Sequence, residues 1–323
     1  MSEASDDSDD DDDASIECVI YTADEIMNHG LLLVKYTKGR IKRAKKKRNI
    51  ERFKGHFGSK PVVIAQIWED IQTTRITEAR VLPEYLSLDF FLMAMHHLKR
   101  YPTELEREPL FDIDCSKGRD WVWFYVERIQ QLKHEKVSWP ADNFGDDLWV
   151  LTVDGTHCDT NEPVHAIWSQ DKKMFSHKSG QAGWNYELGI ALFVSKLIWM
   201  RGPFKAGESD NQTFQIRGLK EKLETVKKRG IADGGYPGHP KLLSTPNNHD
   251  SKPVKLFKSR ALKRHETFNG MTKRFECLRN RFRHDKAKFA QCFEAVCVIC
   301  QYQCDMGEPL YDILIEGMLE DEY

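Results

Sequence analysis

Leu148-Trp149-Val150-Leu151-Thr152-Val153-Asp154-Gly155 is the stretch that decides the fold. Leu148 to Val153 is an apolar run rich in strand formers. A carboxylate and a glycine follow at once. An acid at the end of a buried strand costs desolvation unless a counter-charge such as a metal ion offsets it. Downstream, Val164–Trp168, Tyr186–Val194 and Lys196–Met200 read as strands, the last two as a hairpin turning near Ser195–Lys196. Thr213–Lys228 reads as a helix. Arg229–Ala232 is a short strand that runs into Asp233-Gly234-Gly235-Tyr236. Beyond a Pro- and Asn-rich loop (237–253) come a long helix, about Ser259–Arg283, and a last one, about Lys286–Cys304. Consecutive strands, a helix, a strand and then helices is the order of an α/β, RNase H-like domain, a mixed sheet flanked by helices.

Upstream of Pro140 the texture is helical. Val62, Val63, Ile67, Trp68 and Ile71 recur at helical spacing after Pro61. Ser87 caps a helix whose apolar face is Leu88, Phe91, Leu92, Met95 and Leu98. A short helix near Thr103–Phe111, a polar turn and the amphipathic stretch Trp121–Leu132 complete a helix-turn-helix-like pattern. The expected division is a disordered acidic tail (1–16), a helical DNA-binding domain (17–140) with a basic segment (35–54), a catalytic domain (141–312) and an acidic C-terminal tail (313–323).

The net charge of −2 hides an asymmetry: residues 1–13 hold eight acids and no base, so the remainder is positive. Lys45, Lys46, Lys47 and Arg48 concentrate that charge, which points to nucleic acid, nuclear import, or a solvated helix face. No run is long and apolar enough for a membrane helix. Cys292, Cys297, Cys300 and Cys304 fall on the last helix among Phe293, Val296 and Ile299, a pattern of core thiols rather than a zinc site.

The chemistry centres on carboxylates. Phosphodiester cleavage profits from two divalent cations, one activating the attacking oxygen and one stabilising the leaving oxygen. Magnesium prefers oxygen ligands. Asp154 and Asp233 each follow a strand and precede glycine. Glu266 lies on the long helix, with Lys273 seven residues on and nearly on the same face, where it could meet a DNA phosphate.

Four segments carry a family resemblance. Val153-Asp154-Gly155-Thr156-His157 resembles the first acidic motif of eukaryotic DDE-superfamily transposases of the Harbinger type, which are related to bacterial insertion-sequence transposases. The stretch from Gly202 to Asp210 resembles their glycine-to-His-Asp-Ser loop, with Ser209 where histidine is common. Ile231–Tyr236 resembles the second acidic motif, and Arg264–Phe275 the glutamate helix. The likeness spans about 50–312. It implies catalytic and metal-binding roles for Asp154, Asp233 and Glu266, with two Mg2+ or Mn2+ ions. Asp210 and His157 would lie just behind them. It also implies cleavage at transposon ends and transfer of 3′-hydroxyls to target DNA in the nucleus. The partner would be double-stranded DNA with terminal inverted repeats. An element-encoded second DNA-binding protein and homo-oligomers are further partners to expect. The alternatives are a host-retained DNA-binding protein without catalysis, or another RNase H-like nuclease.

Overall fold

The computed structural model describes residues 19–73, 86–161, 171–176, 178 and 180–314. Eight helices come first: α1 (Ala23–Leu33), α2 (Lys38–Arg43), α3 (Lys46–Phe57), α4 (Pro61–Thr73), α5 (Leu88–Arg100), α6 (Glu104–Phe111), α7 (Cys115–Gln131) and α8 (Lys133–Lys136). Their starts are written locally. The Thr22 hydroxyl accepts from the Glu25 N–H while the Glu25 carboxylate accepts from the Thr22 N–H, and Thr103 with Glu106 repeats this box on α6. The apolar face expected on α5, from Leu88 to Leu98, is buried.

The second half is a mixed five-stranded sheet in the order β3-β2-β1-β4-β5. Its strands are β1 (Trp149–Asp159), β2 (Gly183–Ala191), β3 (Leu197–Lys205), β4 (Arg229–Ala232) and β5 (Leu243–Ser244). β1, β2 and β3 are antiparallel neighbours, whereas β4 runs parallel to β1 and β5 parallel to β4. Helices α9 (Asp210–Ile216) and α10 (Leu219–Val226) connect β3 to β4. Helices α11 (Lys252–Thr272), α12 (Glu276–Arg279) and α13 (Lys286–Asp305) follow the sheet. This mixed α/β arrangement is compatible with an RNase H-like domain.

The strand expected at Val164–Trp168 lies outside the described residues. The structure departs from the sequence expectations in four places. The strand expected to end at Val153 runs on to Asp159, which leaves Asp154 in its middle. The single helix expected over Thr213–Lys228 starts at Asp210 and is broken at Gly218, whose φ of 99° only glycine adopts easily. The long helix stops at Thr272 rather than Arg283. There Lys273 turns its ammonium onto the Leu278 carbonyl, and Phe275 takes an extended backbone before α12. The two-residue β5 was not anticipated, because nothing in Leu243-Ser244 marks a strand apart from its partner β4.

A continuous buried cluster joins the helical half to the sheet. It includes Phe53, Trp68, Phe91 and Tyr125 from the front helices, Leu188 from β2, and Cys297, Ile299 and Tyr302 from α13. Cys292, Cys297, Cys300 and Cys304 are all buried within it, which fits core thiols. α7 packs against α5 on one side and α13 on the other. Its exposed residues are confined to the first turns, where Arg119 is tied to Glu104 at 2.6 Å. α7 buries Val122, Tyr125, Val126 and Ile129 on its inner face.

Glu294 of α13 stitches the halves together. Its carboxylate accepts from Gln130 Nε2 at 2.7 Å, Lys133 Nζ at 2.6 Å and the Tyr186 hydroxyl at 3.0 Å. Glu294→Ala leaves a mostly buried ammonium and a buried phenol without their acceptor. The expected loss is about 3 kcal/mol, read as a lower midpoint in urea unfolding. An unchanged midpoint would show that water replaces the carboxylate.

Candidate active site

Strand register builds the site. Val153 of β1 pairs with Ala232 of β4 in parallel, so the next residues stand side by side: Asp154 in the middle of β1 and Asp233 just past the end of β4. The Gly155 N–H donates to Asp154 Oδ1 at 2.8 Å, and the Gly235 N–H donates to Asp233 Oδ1 at 2.8 Å. Burial pushes the Asp154 carboxyl up to about 7, and the charges of Asp233 and Asp210 push in the same direction. Lys178 opposes them.

Asp210, the first residue of α9, is brought in by two glycines. A methyl placed on Gly155 would sit 2.3 Å from Asp210 Oδ1, so a side chain there would displace this carboxylate. A methyl on Gly235 would sit 2.9 Å from Asp233 Oδ1 and 3.3 Å from Asp210 Oδ2. The two carboxylates therefore face each other across the space of one missing methyl. Burial, and then Asp233, raise the affinity of Asp210 for its proton. A cavity of about 290 Å³ opens here, with Gly155, Gly235, Asp210, Ser209, His157 and Lys178 in its walls.

Two further groups were not anticipated. Glu187 of β2 stands opposite Gly155 in the antiparallel ladder. It is 2% exposed; Oε2 accepts from Trp199 Nε1 at 2.9 Å, whereas Oε1 has no partner among the described residues. Burial and Asp210 push its carboxyl up to about 7. Tyr236, also 2% exposed, has a hydroxyl with no partner among the described residues. Burial raises its proton affinity first, and then the fields of Glu187, Asp210, Asp154 and Asp233 do so together. An acid inside a strand otherwise buried on both faces was the available sequence signal for Glu187.

The structure does not bring Glu266 to the aspartates. It is exposed on α11 and lines a shallow depression with Leu256, Arg260, Lys263 and Tyr311. The residue before it faces the sheet instead: His265 Nδ1 is 2.9 Å from the Thr152 hydroxyl, and its burial holds the imidazole down at about 4. Successive helix residues are rotated by about 100°, so His265 turned inward puts Glu266 outward. Asn269, one turn on, meets the Thr156 hydroxyl at 2.8 Å.

Lys273 also departs from expectation. Its ammonium donates to the His157 carbonyl, the Leu278 carbonyl at 3.0 Å and Cys158 Sγ at 2.9 Å. All three protons are used inside the protein, which leaves none for a DNA phosphate. His157 is likewise engaged, Nδ1 with Asn185 and Nε2 with Asp159, both at 2.9 Å. By contrast Lys45, Lys46, Lys47 and Arg48 are all exposed, and Lys46 pairs with Asp24 at 2.7 Å.

Among the described residues, no three His, Cys, Asp or Glu side chains form a closed ligand set. Mutual repulsion keeps carboxylates apart until a cation offsets it. The donor chemistry suits a hard cation: the groups converging on Gly155 and Gly235 are carboxylates.

Residues 153–301 match the family model described as DDE superfamily endonuclease. No curated protein and no solved structure matches the chain. The segment that carries both aspartates is thus similar to DDE superfamily endonucleases, a likeness that supports the DDE endonuclease and transposase superfamily for this part of the chain.

Proposed function

We propose that this protein is a metal-dependent DNA nuclease of the transposase kind. It cuts phosphodiesters at transposon ends and passes the 3′-hydroxyls to target DNA in the nucleus. The observation that carries the reading is the juxtaposition of Asp154 on β1 and Asp233 at the end of the adjacent parallel β4, inside the segment similar to DDE endonucleases. These two carboxylates would hold Mg2+ or Mn2+. The cation supplies Lewis acidity toward the scissile phosphate and lowers the pKa of the attacking water or hydroxyl.

DNA is expected on the exposed basic surface of α2 and α3. Lys42, Arg43, Lys45, Lys47 and Arg48 line it. Binding there should weaken steeply with salt as counterions are released. Duplex DNA with terminal inverted repeats, an element-encoded second DNA-binding protein and self-association remain the partners proposed.

The test is cleavage of end-labelled duplexes by wild type and Asp233→Asn, with Mg2+, Mn2+ or chelator. Metal-dependent nicking by wild type and its loss in the variant are expected. A second reading, a DNA-binding protein that no longer cuts, is favoured by the outward position of Glu266. It gives salt-sensitive binding with no cleavage in any metal.

A further inference from the structure

Resting on the nuclease reading, we propose that Asp210, not Glu266, is the third carboxylate of the cation site. The site is then three aspartates, Asp154, Asp210 and Asp233, gathered around Gly155 and Gly235. Two observations point there independently of the acids' number. The first is space: Asp210 Oδ1 takes the volume a methyl on Gly155 would fill, at 2.3 Å, and Oδ2 lies 3.3 Å from where a methyl on Gly235 would stand. Asp210 Oδ2 and Asp233 Oδ1 flank one point at 3.3 and 2.9 Å. The two oxygens thus border one shared space, and carboxylate oxygens are the donors a hard cation takes.

The second is the Tyr236 hydroxyl, 2% exposed, without a partner among the described residues, and set among the same carboxylates. Buried polar groups are nearly always satisfied. A phenol here can donate to a ligand carboxylate and orient it, as the groups behind a metal site commonly do. Glu187 Oε1 is a second unpartnered buried acceptor beside Asp210. Tyr236 and Glu187 are positioning residues of this site.

Glu266 offers none of this. It is exposed, and its inward neighbour on α11 is His265, which is already bonded to Thr152.

The test uses Mn2+ alone, titrated into the full chain freed of metal, with binding read by calorimetry and by the Mn2+ electron paramagnetic resonance signal. Asp210→Asn is expected to weaken binding by more than tenfold, and Glu266→Gln to leave it within twofold. Thermal melts of each variant without metal separate lost binding from lost fold. Should Asp210→Asn unfold, the second readout is Fe2+-catalysed oxidative cleavage of the wild-type backbone. Cuts are expected near 154, 210 and 233 and none near 266. Weakened binding in Glu266→Gln, or cuts at 266, would overturn the proposal, as would full affinity in a folded Asp210→Asn. If Asp233→Asn also binds Mn2+ like wild type, the nuclease reading itself falls with it. If only Asp233→Asn weakens binding, the reading stands and the Asp210 assignment alone fails.

Discussion

Asp154→Asn is expected to abolish metal-dependent cleavage, by a thousandfold or more, and at the same time to raise the melting temperature in metal-free buffer at pH 8. The first effect follows from removing a charged ligand where the cation must bind. The second follows from the site's stored repulsion. Asp154 titrates near 7 in the folded chain because it is buried and faces Asp233, while in an unfolded chain it titrates near 3.8. Between those values the folded chain holds a proton that the unfolded chain has released. Stability is therefore full below about 3.8 and is lost progressively as pH rises toward 7. At pH 8 the wild type carries the whole penalty, on the order of a few kcal/mol at 1.4 kcal/mol per unit. Asparagine never ionises, and its oxygen can still accept from the Gly155 N–H. At roughly 2 °C per kcal/mol for a chain of this size, the gain is several degrees. Adding Mn2+ should lift the wild type toward the variant and leave the variant unchanged. A variant that melts lower than wild type at pH 8 would show that Asp154 is a structural anchor instead.

Acidification from pH 7.5 to 5 is expected to cost the helical half about 4 kcal/mol through two buried histidines. His96 is stacked on His56 at 5.9 Å and packed edge-on against Phe57 and Phe111. His97 is buried against Trp123, Tyr101 and His284. Burial pushes His96 down to about 3 and His97 well below its ordinary value, with Arg107 among the nearby cations that add to both. Their folded pKa values are depressed, so the unfolded chain takes up protons first. The stability they confer is complete above about 6.5 and is lost as pH falls, by about 2 kcal/mol for each ring at pH 5. Asp154 acts in the opposite direction over the same range. Glu187 and Asp210 act with Asp154, and His265 acts with the two histidines, so the measurement is the difference between His96→Phe and its parent at each pH. His96→Phe keeps the aromatic contacts and should remove about 2 kcal/mol of the loss between pH 7.5 and 5. A slope untouched by the substitution would assign the acid sensitivity elsewhere.

Much of the site was legible because its signals are local. An apolar run followed by aspartate and glycine announces a charge beside a buried strand; Asp154 and Asp233 each carry that signature, although β1 runs on to Asp159. Parallel register then set them side by side. What stayed hidden depends on rotation and distance. The sequence of α11 shows a helix but does not show which of His265 and Glu266 turns toward the sheet. The deciding contact, with Thr152, is 113 residues away along the chain. Lys273 misled for the same reason, because its acceptors at His157 and Cys158 come from β1. The triple-helix pattern from Ser87 to Leu132 was read correctly as helices, but the pattern cannot say that α13 covers α7. Asp210 was visible as an acid in a loop motif; its contact with Gly155 needed the fold.

The way α3 is fastened has a consequence for where DNA would be cut. Beyond the basic turns of α3, Lys54 and Lys60 bind Glu308, Gln303 donates to the Gly58 carbonyl, and Phe275 packs onto Gly58. The basic surface is thus fastened to α13 and to the segments that follow α11 and α13. A duplex gripped by α2 and α3 would meet the blade at a set number of base pairs from the grip. The protein would behave as a ruler with a fixed stop, where a tethered binding module would leave a scatter of cut positions.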